Sequence, residues 1–190
     1  MDQKIVDEIE KNISGLQSEN DKIRDKHFKI LYPLSNTNPE LLYPYWDLFA
    51  DMLCKPEVSN KYYAILLIAN LVCMDTENKF DKIFDLWFHD LLNHESPVVS
   101  PHIAEKSGKI VKAKPEIEKK VTSLLLNISK TSQCRHLDLQ IAYVLSAFEM
   151  YFDIISEKNT VITYIKEEQH NPSSKTRKKA LELIKKYKIR

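Results

Sequence analysis

Glycine is almost absent from this sequence: Gly15 and Gly108 are the only two among 190 residues. Two isolated glycines leave no GxGxxG and no GxxxxGK[ST], so neither backbone cradle for phosphate is present. A doubly wound nucleotide-binding fold or a small β-barrel would need more glycine, at tight turns and close backbone approaches. Cysteine is scarce too, with Cys54, Cys73 and Cys134 far apart and odd in number. They predict reduced, buried thiols rather than a disulfide framework. Long apolar runs are missing as well. The longest, Ala64 to Ala69, resumes after Asn70 but falls far short of the roughly 18–20 residues of a membrane span. The opening MDQKIVDEIEKN is amphipathic and acidic, with no apolar signal core. A soluble, cytoplasmic protein is expected.

Chemistry-bearing patterns are equally thin. His89 and His94 are five apart, and Cys134-x-His136 stands alone, so neither an HExxH face nor a CxxC knuckle exists. No G-x-S-x-G elbow is present. Cys54 and Cys73 sit in apolar helix and helix-end contexts, where a thiol behaves as a small hydrophobe. The carboxylate pairs Asp47/Asp51, Asp81/Asp85 and Glu167/Glu168 lie on polar helix faces, away from apolar neighbours that would raise a pKa. The expectation is a non-enzyme without metal or cofactor.

What is present is the composition of an ordinary globular chain, 43% hydrophobic and 29% charged. Few glycines, much Leu, Ile and Lys, and eight scattered prolines predict helices punctuated by proline. The net charge of +1 conceals an asymmetry, because residues 1–95 carry 10 Lys+Arg against 17 Asp+Glu and residues 96–190 carry 18 against 10. An acidic end and a basic end follow. They suit chance drift of a solvated surface, separate basic and acidic partners, or head-to-tail self-association.

Apolar residues recur three or four apart, in paired segments. The first pair is expected over 2–17 and 20–34, ended by Pro33 and the polar run Ser35 to Asn38. The second begins at Asn38-Pro39, bends at Pro44, and continues after a cap at Ser59 or Asn60 as Tyr62 to Met74. That last helix is apolar nearly all round and requires cover on both sides. The third pair is 79–92 and then Ser96 or Ser100 to Ala113. The fourth is 115–128 and 136–155, and the fifth 159–168 and 173–189. Tyr45 and Trp46 are assigned to the core. Ala104, Ser107 and Gly108 mark a place where two helices approach closely.

One small residue recurs in each second helix: Ala64, Ala104, Ala142 and Ala180, separated by 40, 38 and 38, with Phe28 36 residues before the first. Helix pairs at such a period predict a single all-α domain over 1–190, an α-α superhelix of about five antiparallel pairs. Its second helices would line the concave side of a right-handed stack. The segments Ser174-Lys-Thr-Arg-Lys-Lys-Ala180-Leu-Glu-Leu and Pro97-Val-Val-Ser-Pro-His-Ile103-Ala104, with the bent helix at Pro44, resemble the HEAT-like (armadillo-type) repeat family. That family's arginine stands at Arg24 and Arg177 and is replaced by Ser100 in the third pair.

The resemblance implies a binding scaffold that holds a protein partner. The alternative is nucleic-acid binding by the basic half, in its enzymatic form a DNA-alkylation-repair glycosylase. Those glycosylases resemble HEAT-like arrays that place a tryptophan one turn before an aspartate. Here Trp87 is followed by Asp90 with Leu91 at i+4, and Trp46 by Ala50, so the pair is not matched. Lys175, Arg177, Lys178, Lys179, Lys185, Lys186, Lys188 and Arg190 oppose a single Glu182 at the C-terminus. They suit either a polar capping helix or a contact to phosphate or an acidic protein. The candidate partner-binding residues are His102, Lys106, Lys109, Arg135, Lys175, Arg177 and Lys178. Tyr43 and Tyr62 stay open between core and groove.

Overall fold

The computed structural model describes residues 3–189, so Asp2 and Arg190 of the segments above lie outside the described residues. Among these the chain is all-α, with no strand. It divides into two compact units, Met1–Glu77 and Asn78–Arg190. The division falls between the second and third helix pairs.

The first unit contains α1 (Gln3–Leu16), α2 (Asp21–Thr37), α3 (Pro39–Leu42), α4 (Trp46–Leu53) and α5 (Val58–Leu71). A 3₁₀ turn, Tyr43–Tyr45, separates α3 from α4 at the expected Pro44. The helix bends there because proline lacks the N–H that would close the ladder. Pro33, by contrast, does not end α2, which runs on to Thr37. Side chains serve the backbone there, as Ser35 Oγ and Asn36 Nδ2 donate to the Tyr32 carbonyl at 2.7 and 3.2 Å. Ser35 itself is fully buried and accepts from Asn70 Nδ2 at 2.8 Å. The polar run is therefore helix, not turn.

Helix α5 starts at Val58, earlier than its apolar run suggests, and neither Ser59 nor Asn60 caps it. Asn60 donates instead to the Glu57 carboxylate at 2.9 Å. Every residue from Tyr63 to Val72 is buried, as an all-round apolar helix demands. Beyond it a 3₁₀ turn, Val72–Met74, rotates Cys73 out to solvent. Cys54 is exposed as well, past the end of α4, so only Cys134 meets the expectation of burial. Trp46 is core, whereas Tyr45 is only half-buried.

The second unit contains α6 (Lys79–Asp85), α7 (Val99–Ala113), α8 (Glu118–Leu126), α9 (Ile128–Thr131), α10 (Leu137–Tyr151), α11 (Lys158–Glu167) and α12 (Ser174–Lys186). After α6 comes a π turn, Leu86–Leu91, which the apolar spacing did not reveal. Its Leu92 N–H donates to the Trp87 carbonyl at 3.0 Å, and Trp87, Phe88, Leu91 and Leu92 all turn inward. Ser96, not Ser100, serves the start of α7, accepting from the Val98 and Val99 amides at 3.2 and 3.4 Å. The predicted 136–155 helix ends as α at Tyr151 and closes in a 3₁₀ turn, Phe152–Ile154.

Besides the packing within pairs, such as α1 on α2 and α4 on α5, second helices of successive pairs pack against each other within each unit: α2 on α5, then α7 on α10 and α10 on α12. The polar contacts repeat that spacing. In the first unit Ser59 reaches Asp21 (38 apart) and Asn70 reaches Ser35 (35 apart). In the second, Lys114 reaches Asn78 (36 apart), Ser156 reaches Glu118, Thr176 reaches the Asp138 carbonyl and Tyr187 the Glu149 carbonyl (each 38 apart). Asn78 adopts φ 54°, a left-handed conformation that asparagine tolerates, and its side-chain carbonyl receives the buried Lys114.

A close crossing is that of α7 on α10. A Cβ placed on Gly108 would lie 2.9 Å from the Ala147 carbonyl oxygen and 2.8 Å from Met150 Sδ. Alanine normally favours a helix over glycine by about 1 kcal/mol. Here the clash with rigid backbone reverses the sign, and Gly108→Ala should destabilise by about 1–2 kcal/mol net. A lowered midpoint in thermal circular dichroism would show this; an equal or higher one would mean that the helices separate freely. A second check concerns the thiols. Cys54 and Cys73 should react promptly with a thiol reagent in the native protein, and Cys134 only on unfolding.

Candidate interaction surface

Seven of the eight C-terminal basic residues fall among the described residues, and the structure gives them different tasks. Arg177 turns back on its own chain, where Nη1 donates to the carbonyls of Asn171 and Pro172 at 2.8 and 2.7 Å. Arg24 does the same to Ser18 and Glu19 at 2.7 and 3.1 Å. Lys61 reaches the Lys55 carbonyl in the same way. A cation on the first turns of a second helix thus holds carbonyls five or six residues earlier, three times along the chain. The sequence reading noticed the two arginines and missed Lys61. Counted from this staple, His27 stands where Ala64 and Ala180 do, one residue before the Phe28 chosen from spacing.

Arg135 is also a strap. Its guanidinium lies 3.2 Å from Glu95, and the neighbouring Gln133 amide donates to the Asn93 carbonyl at 3.0 Å. Buried Gln140 completes this strap by donating to the Leu92 carbonyl at 2.9 Å. Lys106 lies 2.9 Å from Glu105 on its own helix.

His102 and Lys175 are brought together from α7 and α12 by a residue of α10 that sequence reasoning did not single out. On α10 the buried side chains leave Leu139, Tyr143, Ser146, Glu149 and Met150 as a half-exposed stripe. The Tyr143 ring lies 5.5 Å from the His102 ring on one side and 3.9 Å beneath Lys175 Nζ on the other. His102 Nδ1–H donates to the Val98 carbonyl at 2.7 Å, which orients the imidazole. Such cation–ring contact is worth about 0.5–1 kcal/mol at exposed sites. Lys106 and Lys109 follow His102 on successive turns of the half-exposed side of α7. Lys178 is exposed one turn beyond Lys175 on α12.

At the other end of the stripe Glu149 sits between Lys179, which donates to Oε2, and Lys186, 2.8 Å from Oε1. Partial burial works against the Glu149 charge, but the two lysines outweigh it and hold the carboxyl below its ordinary range. The hydrogen bond to Glu149 also raises Lys186.

Elsewhere the buried Glu118, which no sequence pattern flagged, ties α8 to the segment after α10. Thr122 Oγ1 donates to Oε1 at 2.8 Å, while the Ser156 amide and hydroxyl donate to Oε2 at 3.2 and 2.5 Å. Tyr151 in turn lies 3.0 Å from Thr122 Oγ1. Glu118 borders a cleft of about 310 Å³ lined also by Ser123, Asn127 and Thr160. Both of its oxygens are already engaged, and that is the chemistry of a tie.

Trp87 is fully buried among Phe80, Phe84 and Phe88, while Asp90 faces solvent. Both lie within the π turn, one facing inward and the other outward. Among the described residues no three His, Cys, Asp or Glu side chains gather as a metal cluster, and no helix is long and apolar enough to cross a membrane. No family model, curated protein or solved structure matches this chain.

The Glu149 clamp has a pH signature. A carboxyl whose folded pKa is depressed contributes stability above its ordinary pKa and loses it as pH falls through the folded value. Glu149→Gln should cost up to about 1 kcal/mol at neutral pH, and the deficit should vanish in acid below the carboxylate range. Thermal midpoints of both proteins across pH would show convergence; a constant gap would mean that packing alone is lost.

Proposed function

We propose that this chain is a HEAT-like helical-repeat scaffold without catalytic activity, and that it holds a protein partner on the face formed by α7, α10 and α12. The observation that carries this reading is the ladder of His102, Tyr143 and Lys175 across three neighbouring helices. A tyrosine offers a broad, stiff contact area at low entropic cost, and the flanking Lys175 cation and oriented His102 ring supply direction. The repeat reading draws support from the staple at Arg24, Lys61 and Arg177 and from hydrogen bonds recurring 35 to 38 residues apart. Helix pairs stacked at one-repeat intervals make both patterns.

The phosphate-binding alternative, with its glycosylase variant, draws less support. Lys106, Arg135, Lys179 and Lys186 each face a carboxylate, and Arg177 is directed at backbone carbonyls. A polyanion would have to displace these ion pairs. The complete burial of Trp87 also gives the glycosylase reading no exposed aromatic residue at that position.

Affinity capture should be run with the native chain, with Tyr143→Ala, and with Lys175→Glu. The expected result is a protein enriched by the native chain and reduced at least about tenfold by both variants, with helical content unchanged. Equal enrichment by all three chains would overturn the assignment of this face. Binding to short duplexes that falls steeply with salt would favour nucleic acid instead.

A further inference from the structure

Helix α12 has a second exposed side, about a quarter to a third of a turn from the Lys175 side, and its composition is unusual. Ser174, Lys178, Leu181 and Lys185 stand at i, i+4, i+7 and i+11, all exposed. Leu181 is 52% exposed, the most open large hydrophobic side chain among the described residues. An isolated leucine between two lysines is ordinary on a surface. The first unit nevertheless carries a ridge of the same spacing and opposite charge. Glu40, Pro44, Asp47 and Asp51, on α3, its 3₁₀ turn and α4, are all exposed at i, i+4, i+7 and i+11. From residue 30 to residue 54 the chain contains these three acids and no Lys or Arg.

Laid antiparallel, the two ridges match position by position. Glu40 meets Lys185, Pro44 meets Leu181, and Asp47 meets Lys178. Asp51 then meets Ser174, the first residue of α12, where the helix dipole favours an anion. Each ridge spans roughly 16–18 Å, so the steps stay in phase along its length. The imbalance extends beyond the ridges: Met1–Glu77 holds 8 Lys+Arg against 13 Asp+Glu, and Asn78–Arg190 holds 20 against 14.

We infer that the occupant of the α12 ridge is a second copy of this chain, presenting its α3–α4 ridge. The contact is heterologous, using a different patch on each copy, so it propagates into a chain of copies or closes into a ring. Two short helical ridges fall at or below the low end of interface sizes, so the association is weak, concentration-dependent and salt-sensitive. It uses no residue of the Tyr143 ladder, and stands or falls separately from the partner proposed there.

Sedimentation velocity over a range of concentrations tests the contact, at about 0.02 M and about 0.5 M salt. The native chain should gain mass with concentration at low salt and return to monomer at high salt. Lys178→Glu with Lys185→Glu makes both ridges acidic, and Glu40→Lys with Asp47→Lys makes both basic. Each double variant should associate about a hundredfold more weakly, because like charges then face each other. Mixing the two variants should restore association, since each supplies the ridge that the other lost. All substituted positions are exposed, and circular dichroism would verify folding. A native chain that stays monomeric throughout overturns the inference. So do a double variant that associates like the native chain and a mixture that stays monomeric.

Discussion

The structure depends on helices approaching closely at intervals of one helix pair. The α7–α10 crossing shows the constraint most plainly, since Gly108 leaves no room for even a methyl group against Ala147 and Met150. Small residues let the backbones meet, and apolar residues around them are then buried completely, as with Ile103, Ala104, Val144 and Ala147. The hydrogen bonds recurring at 35 to 38 residues follow from the same approach. Once neighbouring helices are locked in register, corresponding residues stand opposite one another. Thr176 therefore meets the start of α10, and Tyr187 meets its end.

A chain so poor in glycine must turn between helices by other means. Prolines begin or bend segments, 3₁₀ turns and one π turn finish them, and long cationic side chains bind the turns to the helices that follow. Arg24, Lys61 and Arg177 perform this last task with backbone carbonyls as acceptors. Their charge is directed inward, and a residue count of basic side chains overstates the positive surface. The clamp of Lys179 and Lys186 on Glu149 has the same effect at the far end of α12.

What remains outward is a mixed face and not a basic groove. Tyr143 with His102 and Lys175 combines contact area, an oriented imidazole and a cation, the mixture on which the proposed protein partner rests. Each unit also carries one exposed ridge of a single sign, acidic on α3–α4 and basic on α12. Their matching spacing is what ties the charge asymmetry of the sequence to the contact between copies inferred above.

The sequence by itself determined the all-α class, the approximate placement of the long helices, and the burial of their apolar faces. These follow from local periodicity, glycine scarcity and proline placement, which act within a few residues. It also marked Gly108 as a close approach. Only the tertiary structure decided which charges face solvent. Arg177 looked available for a partner, yet it folds back on the carbonyls of Asn171 and Pro172, and Arg135, though exposed, lies beside Glu95 from 40 residues earlier. Tyr143 could be read only as one more residue of its helix, because the neighbours that make it part of a site come from helices more than 30 residues away on either side. Cys73 and Ser35 changed places with expectation for a related reason: a 3₁₀ turn rotated one outward, and Asn70 gave the other a buried partner. Periodicity tells which face of a helix is apolar. The exposure and pairing of a polar side chain depend on what the rest of the chain brings beside it.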